Sequence, residues 1–169
     1  MTRDLHTPLT RQEVERLQLY DHVTLSGFIL TGRDIVLPKL VTLAESGGLS
    51  PDEFDLAGSV IFHSAVSPAG LGPTSSNKLE IEGSMVPLSR LGVRLHIGKG
   101  ALSRETLEAM AHYGSAYALV PPVSALLASK VLSSRVLLFP EDGMEALHLL
   151  EVVDFPAIIA GVKGQSIFA

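Results

Sequence analysis

Residues 93–100 read VRLHIGKG, and this stretch decides the class of fold. Residues 93–97 have the pattern of a strand, and two glycines around Lys99 follow it directly. Ser103 then provides an N-cap for a helix that reaches His112. A strand that leads through a short turn into a helix is typical of an α/β domain.

The alternation of strand and helix extends through the middle of the chain. Thr10 and Glu13 spell a capping box that opens a short first helix, to about residue 17. We expect further helices at residues 34–45, 85–91, 103–112 and 123–131, and strands at residues 22–30, 59–62, 93–97, 116–120, 135–139, 146–153 and 157–162. Because the C-terminal end is rich in strands, the pattern predicts an α/β fold with a mixed sheet, in a single domain over residues 1–169.

A second glycine-framed run, GLGPTSSNK at residues 70–78, lies in a long polar segment. We expect no secondary structure in residues 64–77, and loops of this length are uncommon in compact domains unless they serve a function. The run is not a nucleotide-binding P-loop, since Asn77 precedes Lys78 and neither Ser nor Thr follows. Its hydroxyls indicate either an anion site or a solvated turn that caps its own backbone.

Both polar runs follow predicted strands, and Arg33 also lies between a strand and a helix. Ligands of open α/β sheets gather beyond the carboxyl ends of the strands. Hydroxyls, backbone amides and a lysine at such ends favour a site for a carboxylate or a phosphate. The alternative for Lys99 is an ordinary turn whose glycines only permit tight geometry, with the lysine in solvent.

The composition excludes several classes of protein. The chain has 169 residues, a net charge of −5, six histidines and no cysteine. It has no broad basic surface for nucleic acid, and no apolar segment approaches the roughly 18 residues that span a bilayer. Without cysteine it holds neither disulfides nor thiolate-ligated metal. The histidines form no ligand pair, so we expect them at the surface or at helix ends, with no metal site from this chain. These features favour a cytoplasmic protein.

Five motifs occur in an order and spacing that indicate a family. They are TGRD at residues 31–34, GPTS at 72–75, IGKG at 97–100, GMEA at 143–146 and EVVDFPA at 151–157. With these motifs the chain resembles, over essentially its whole length, the β subunit or C-terminal domain of class I iron–sulfur fumarate hydratases and L-tartrate dehydratases. The resemblance implies a swivelling, layered β/β/α domain that closes over a four-iron four-sulfur cluster. It places that cluster on a cysteine-bearing α subunit, with two copies of each subunit.

The resemblance also implies roles for individual residues in the dehydration of a hydroxy-dicarboxylate. Arg33 would bind a substrate carboxylate, and Thr74 would stand beside the carbon-bound proton. Because an alcohol is a poor base at neutral pH, Thr74 would need an activator, and Lys99 is the candidate. The other implied substrate-binding residues lie in the two polar runs and are Ser75, Lys78, Gly98 and Gly100.

Three departures from the family pattern keep a second function open. Lys78 stands where an arginine is usual, residues 35–37 lack a usual histidine, and Pro121-Pro122 replaces a glycine pair. A lysine is a point charge that cannot bind a carboxylate with the two-pronged geometry of arginine. The alternatives are a hydro-lyase subunit that is active only with its partner, and a non-catalytic module that binds dicarboxylates. A purely structural subunit would fit the low charge but not the polar runs.

Overall fold

The computed structural model of the chain describes residues 2–50, 52, 54–67, 70–71, 78–121 and 124–168, with the backbone alone for residues 67, 70–71, 78–81 and 124. The helices in this part of the chain are α1 (Arg11–Glu15), α2 (Val36–Glu45), α3 (Lys78–Arg90), α4 (Arg104–His112) and α5 (Ser124–Ser129), and a 3-10 helix spans Pro140–Glu145. The strands are β1 (Thr2–His6), β2 (His22–Thr31), β3 (Val60–Phe62), β4 (Val66–Ser67), β5 (Gly70–Leu71), β6 (Leu95–Gly98), β7 (Ala116–Leu119), β8 (Val131–Leu138), β9 (Leu147–Val162) and β10 (Gln165–Ser166). None of these described helices is long and apolar enough to cross a membrane.

One mixed sheet contains eight of these strands and closes on itself. β1, β2, β3, β6 and β7 lie side by side and run parallel. The long strand β9 pairs antiparallel with β2 and also with β7, which joins the two sides of the parallel set. β8 and β10 add to β9 in antiparallel fashion. The prediction of an α/β fold with a mixed sheet is confirmed.

Apolar side chains cover both faces of the parallel strands. The largest cluster is built from residues of several strands and includes Leu25, Ile97 and Phe155, all fully buried. A second cluster packs α2 and α3 against β2 and β3. A third surrounds Tyr117 of β7 with side chains of α3 and α4. Helices α2, α3 and α4 thus pack on one face of the strands, whereas Val14 of α1 and Leu127 of α5 belong to the first cluster.

The helix starts are confirmed where a capping residue marked them. Thr10 caps α1 in a capping box with Glu13, and both halves of the box are formed. Ser103 caps α4 by accepting from the backbone N–H of Thr106.

The C-terminal strands differ from the prediction. Residues 146–153 and 157–162 were predicted as two strands, but this region forms the single strand β9. The residues that suggested a break lie in a β-bulge, where Asp154 has φ +50° and the register with β2 shifts. Pro156 still stands opposite Thr24 of β2, so the pairing continues beyond the bulge.

Helix α3 is longer than predicted. The sequence indicated a helix at residues 85–91, whereas α3 begins at Lys78. Gly83 disfavours a helix interior and hides the helical pattern of the first half of α3.

The polar segment at residues 64–77 contains secondary structure that the sequence did not predict. Its two short strands β4 and β5 pair antiparallel. Residues 72–77, which include Thr74 and Ser75, lie outside the described residues.

The expectation that the histidines lie at the surface is wrong for His63, His96 and His148, which are buried. His63 directly follows β3, and its Nε2 lies 3.0 Å from Nδ1 of His96 in β6. Nε2 of His96 lies 3.2 Å from Ser89 Oγ in α3, so the pair ties two neighbouring strands to a helix. Desolvation by burial lowers the pKa of His63 to about 3 and holds the pKa of His96 well below its usual value.

We expect the fold to lose stability as the pH falls from about 6.5 towards 3. Over this range residue His63 binds a proton in the unfolded chain but stays neutral in the folded chain, where it is buried. Between pH 7 and pH 5, His63 alone should lower the free energy of unfolding by about 2 kcal/mol. Urea unfolding over a pH series measures the effect. His63→Gln should flatten the pH dependence by about that amount. Equal pH dependence in the chain and in His63→Gln would contradict this account.

Candidate active site

The carboxyl ends of the parallel strands meet at one edge of the sheet. Phe62 of β3 pairs with Thr31 of β2 on one side and with Ile97 of β6 on the other. Arg33 follows two residues after Thr31, and Lys99 follows two residues after Ile97. The two cationic residues therefore leave the sheet at the same level, on strands about 10 Å apart, a span that long side chains can bridge.

The first turns of α3 lie at the same edge. Glu82, in the second turn of α3, accepts through Oε1 from the backbone N–H of Ser103 at 2.7 Å. Ser103 belongs to the loop that leaves the carboxyl end of β6 and carries Lys99. Lys78 begins α3 one turn, about 5 Å, before Glu82.

Arg33 is held by a carboxylate that the sequence did not reveal as part of the site. Nε and Nη2 of Arg33 donate to Oε1 of Glu145 at 2.9 and 2.7 Å. The two side chains are only 23% and 25% exposed. Charge-assisted hydrogen bonds from two nitrogens fix the orientation of the guanidinium plane. The one signal for Glu145 in the sequence is its place in the GMEA motif, which gives no indication of this contact.

The backbone that carries Glu145 is bent sharply. Phe139 has φ +61°, and Gly143 has φ +60° and ψ −121°, a combination that favours glycine. Nζ of Lys39 in α2 lies 2.7 Å from Oδ2 of Asp142 and holds this segment against the helix. Unusual backbone conformations persist where neighbouring contacts enforce them. Here the bends lead the chain back to Arg33.

Lys99 lies in an exposed loop whose backbone is fixed on both sides. Gly100 has φ +77°, which favours glycine. Its carbonyl accepts from the Tyr117 hydroxyl at 3.0 Å. The ring of Tyr117 lies so near Gly98 that an added Cβ would come within 3.2 Å of the hydroxyl oxygen. The exposure of Lys99 itself agrees with both alternatives raised for it, the anion site and the solvated turn.

The structure brings Arg33, Gly98, Lys99 and Gly100 to one edge of the sheet. Lys78 begins α3, whose Glu82 contacts the loop that carries Lys99. Thr74 and Ser75 lie outside the described residues, so their roles stay predictions.

These residues are suited to bind a small dianion. The planar fork of arginine matches a carboxylate, while lysine adds a mobile point charge. Burial, with a further contribution from the charge of Glu82, raises the pKa of Tyr117, so its hydroxyl remains a hydrogen-bond donor. Among the described residues, no group of three or more His, Cys, Asp or Glu side chains could hold a metal ion.

Known proteins match the chain over nearly all of its length. Residues 2–169 match the family model described as the fumarase C-terminus. The "Putative L(+)-tartrate dehydratase subunit beta" of Methanocaldococcus jannaschii is 32% identical over 175 residues, covering 95% of this chain and 88% of that protein. The "L(+)-tartrate dehydratase subunit beta" of Escherichia coli K12 is 26% identical, covering 96% of this chain and 83% of that protein.

A fumarate hydratase is also similar but longer. "Fumarate hydratase 2" of Leishmania major is 28% identical over 98% of this chain, which spans only 31% of that protein. The family model and the similarity to the Methanocaldococcus jannaschii protein agree with the resemblance that the five sequence motifs indicated. The chain is similar to β subunits of tartrate dehydratases and to part of class I fumarate hydratases, and it belongs to the fumarase C-terminus family.

Proposed function

We propose that this chain is the β subunit of a hydro-lyase that reversibly dehydrates a hydroxy-dicarboxylate of the malate or tartrate type. The observation that carries the proposal is the placement of Arg33 and Lys99 at one sheet edge in a member of the fumarase C-terminus family. Two relatives that this chain covers by more than four fifths of their length are named as β subunits, which supports a function shared with a second polypeptide.

The family resemblance assigns a four-iron four-sulfur cluster to the partner α subunit. This chain fits that division, because it has no cysteine and therefore no thiolate to ligate iron. When bound in the complex, the cluster supplies the Lewis acid that polarises the substrate hydroxyl. We propose a cytoplasmic complex with two copies of each subunit.

In this proposal the described residues bind the substrate. Arg33 donates to one carboxylate, and Glu145 holds the guanidinium in the orientation needed for that contact. Lys99 places an ammonium group at the same edge, and the small residues Gly98 and Gly100 let the substrate approach the backbone. The family resemblance also assigns substrate binding to Lys78 and Ser75. Arg33 and Lys99 thus offer hydrogen-bond donors to the two carboxylates of one substrate, while Glu145 compensates part of the charge of Arg33.

Thr74 would handle the proton in the same reaction. After giving its own proton to a neighbouring base, its alkoxide oxygen would take the proton from the carbon next to the one that loses its hydroxyl and become a neutral alcohol, and the reverse direction would return both protons. The alkoxide forms only if its negative charge is stabilised. Lys99 is the candidate for that role, because a nearby ammonium group stabilises an alkoxide.

The activity of the assembled complex tests the proposal. We expect the chain alone to be inactive. Assembled anaerobically with a cluster-bearing α subunit, it should dehydrate malate or L-tartrate. The absorbance of the unsaturated or keto product measures the rate. Absence of turnover over a panel of hydroxy-dicarboxylates would contradict the proposal. If calorimetry then showed that the complex binds these acids, the non-catalytic module would be the correct alternative.

Replacement of Lys99 tests its role separately. In the assembled complex, Lys99→Ala should lower kcat/KM by about 10³-fold, because one charged stabiliser of the reacting group is lost. Its free energy of unfolding should change by less than about 0.5 kcal/mol, since the side chain is exposed. Lys130→Ala, at a lysine between α5 and β8, is the matched control and should keep full activity. Equal activity in Lys99→Ala and Lys130→Ala would remove Lys99 from the mechanism.

A further inference from the structure

We propose that Tyr117 and Glu82 are positioning residues that fix the loop of Lys99 against helix α3, an inference that rests on the proposed function of Lys99. Neither residue belongs to the polar runs or to the five family motifs. Each contacts the backbone of this loop, which comprises residues 98–103 from the last residue of β6 to the start of α4.

Tyr117 holds the first half of the loop. It is only 2% exposed and packs in a cluster with Met85 of α3 and Leu107 of α4. Its ring lies under Gly98, and its hydroxyl donates to the carbonyl of Gly100 at 3.0 Å. Lys99 stands between these two contacts. The buried ring thus determines where the backbone of Lys99 lies relative to the core.

Glu82 holds the second half of the loop. Its Oε1 accepts from the backbone N–H of Ser103 at 2.7 Å. The same Ser103 caps α4, with its Oγ accepting from the N–H of Thr106 at 3.2 Å. Hydrogen bonds that involve a charged group are about twice as strong as neutral ones. Glu82 therefore joins the end of the loop and the start of α4 to α3.

The charge of Glu82 also affects Tyr117, so the two contacts are linked electrostatically. Burial and the charge of Glu82 raise the pKa of Tyr117, which keeps the phenol protonated and able to donate at any working pH. Glu82 serves as the acceptor for Ser103 and Tyr117 as the donor to Gly100.

The arrangement links the two lysines that the sequence predicted for the site. Lys78 begins α3 one turn before Glu82, and Lys99 lies in the loop that Glu82 and Tyr117 hold. A loop anchored at Gly98, Gly100 and Ser103 leaves Lys99 only its side-chain rotations. Catalytic groups that are held in place before substrate binds avoid the cost of ordering during the reaction.

Tyr117→Phe removes one hydroxyl and leaves the packed ring in place, so it tests the proposal in the assembled complex. We expect kcat for malate or tartrate to fall about tenfold with KM changed by less than about threefold, because placement rather than charge is lost. We also expect the backbone amide of Ser103 to exchange its hydrogen about tenfold faster, although the Tyr117 hydroxyl donates to Gly100 rather than to Ser103, because the whole loop loosens. Tyr113→Phe is the matched control and should change neither quantity.

Substitutions of Glu82 give a second, independent test of the proposal. Glu82→Ala should lower kcat and speed the exchange at Ser103, while Glu82→Gln keeps an acceptor oxygen and should restore most of both. Unchanged exchange at Ser103 in Tyr117→Phe, or faster exchange with unchanged kcat in an active complex, would overturn the proposal. If the unaltered complex were inactive, the proposed function would fail, and exchange at Ser103 in Tyr117→Phe would still decide whether the loop is held as proposed.

Discussion

The pairing of β9 with both β2 and β7 is the constraint on which the rest of the structure depends. It closes the sheet and holds β2, β3 and β6 side by side in one register. The bulge at Asp154 adds the local bend and twist that a strand needs when it pairs on two sides. Because the parallel strands end level with one another, the residues that follow them share one edge. Arg33 and Lys99 owe their common location to this closure.

The same strand pairing explains the contact between Arg33 and Glu145. His148, near the start of β9, stands opposite Thr31 at the end of β2. Since the two strands are antiparallel, the chain just before β9 lies beside the chain just after β2. The bends at Phe139 and Gly143 then bring the carboxylate of Glu145 to the guanidinium of Arg33. Closure of the sheet thus both places Arg33 and supplies the group that orients it.

The sequence predicted those features that depend on nearby residues. Capping residues marked the starts of α1 and α4, and the order of elements predicted the mixed sheet. The sequence also placed Arg33 and Lys99 after strands that prove to be parallel. The predictions were wrong where contacts with distant residues override the local pattern. Pairing with β2 continues β9 through Pro156, and packing extends α3 to residues before Gly83.

Contacts between distant parts of the chain were likewise hidden. The pairing of His63 with His96 joins two strands, and the contact of Arg33 with Glu145 joins residues that are 112 positions apart. Neither has a periodicity or spacing that a single sequence shows.

The central claim is that Arg33 and Lys99 bind the substrate together at one edge of the sheet, and a crystal structure of the assembled complex with bound L-tartrate or malate tests it most directly. We expect Arg33 and Lys99 each to lie about 3 Å from a carboxylate oxygen of the ligand; a ligand bound away from this sheet edge, with neither side chain in contact, would contradict it.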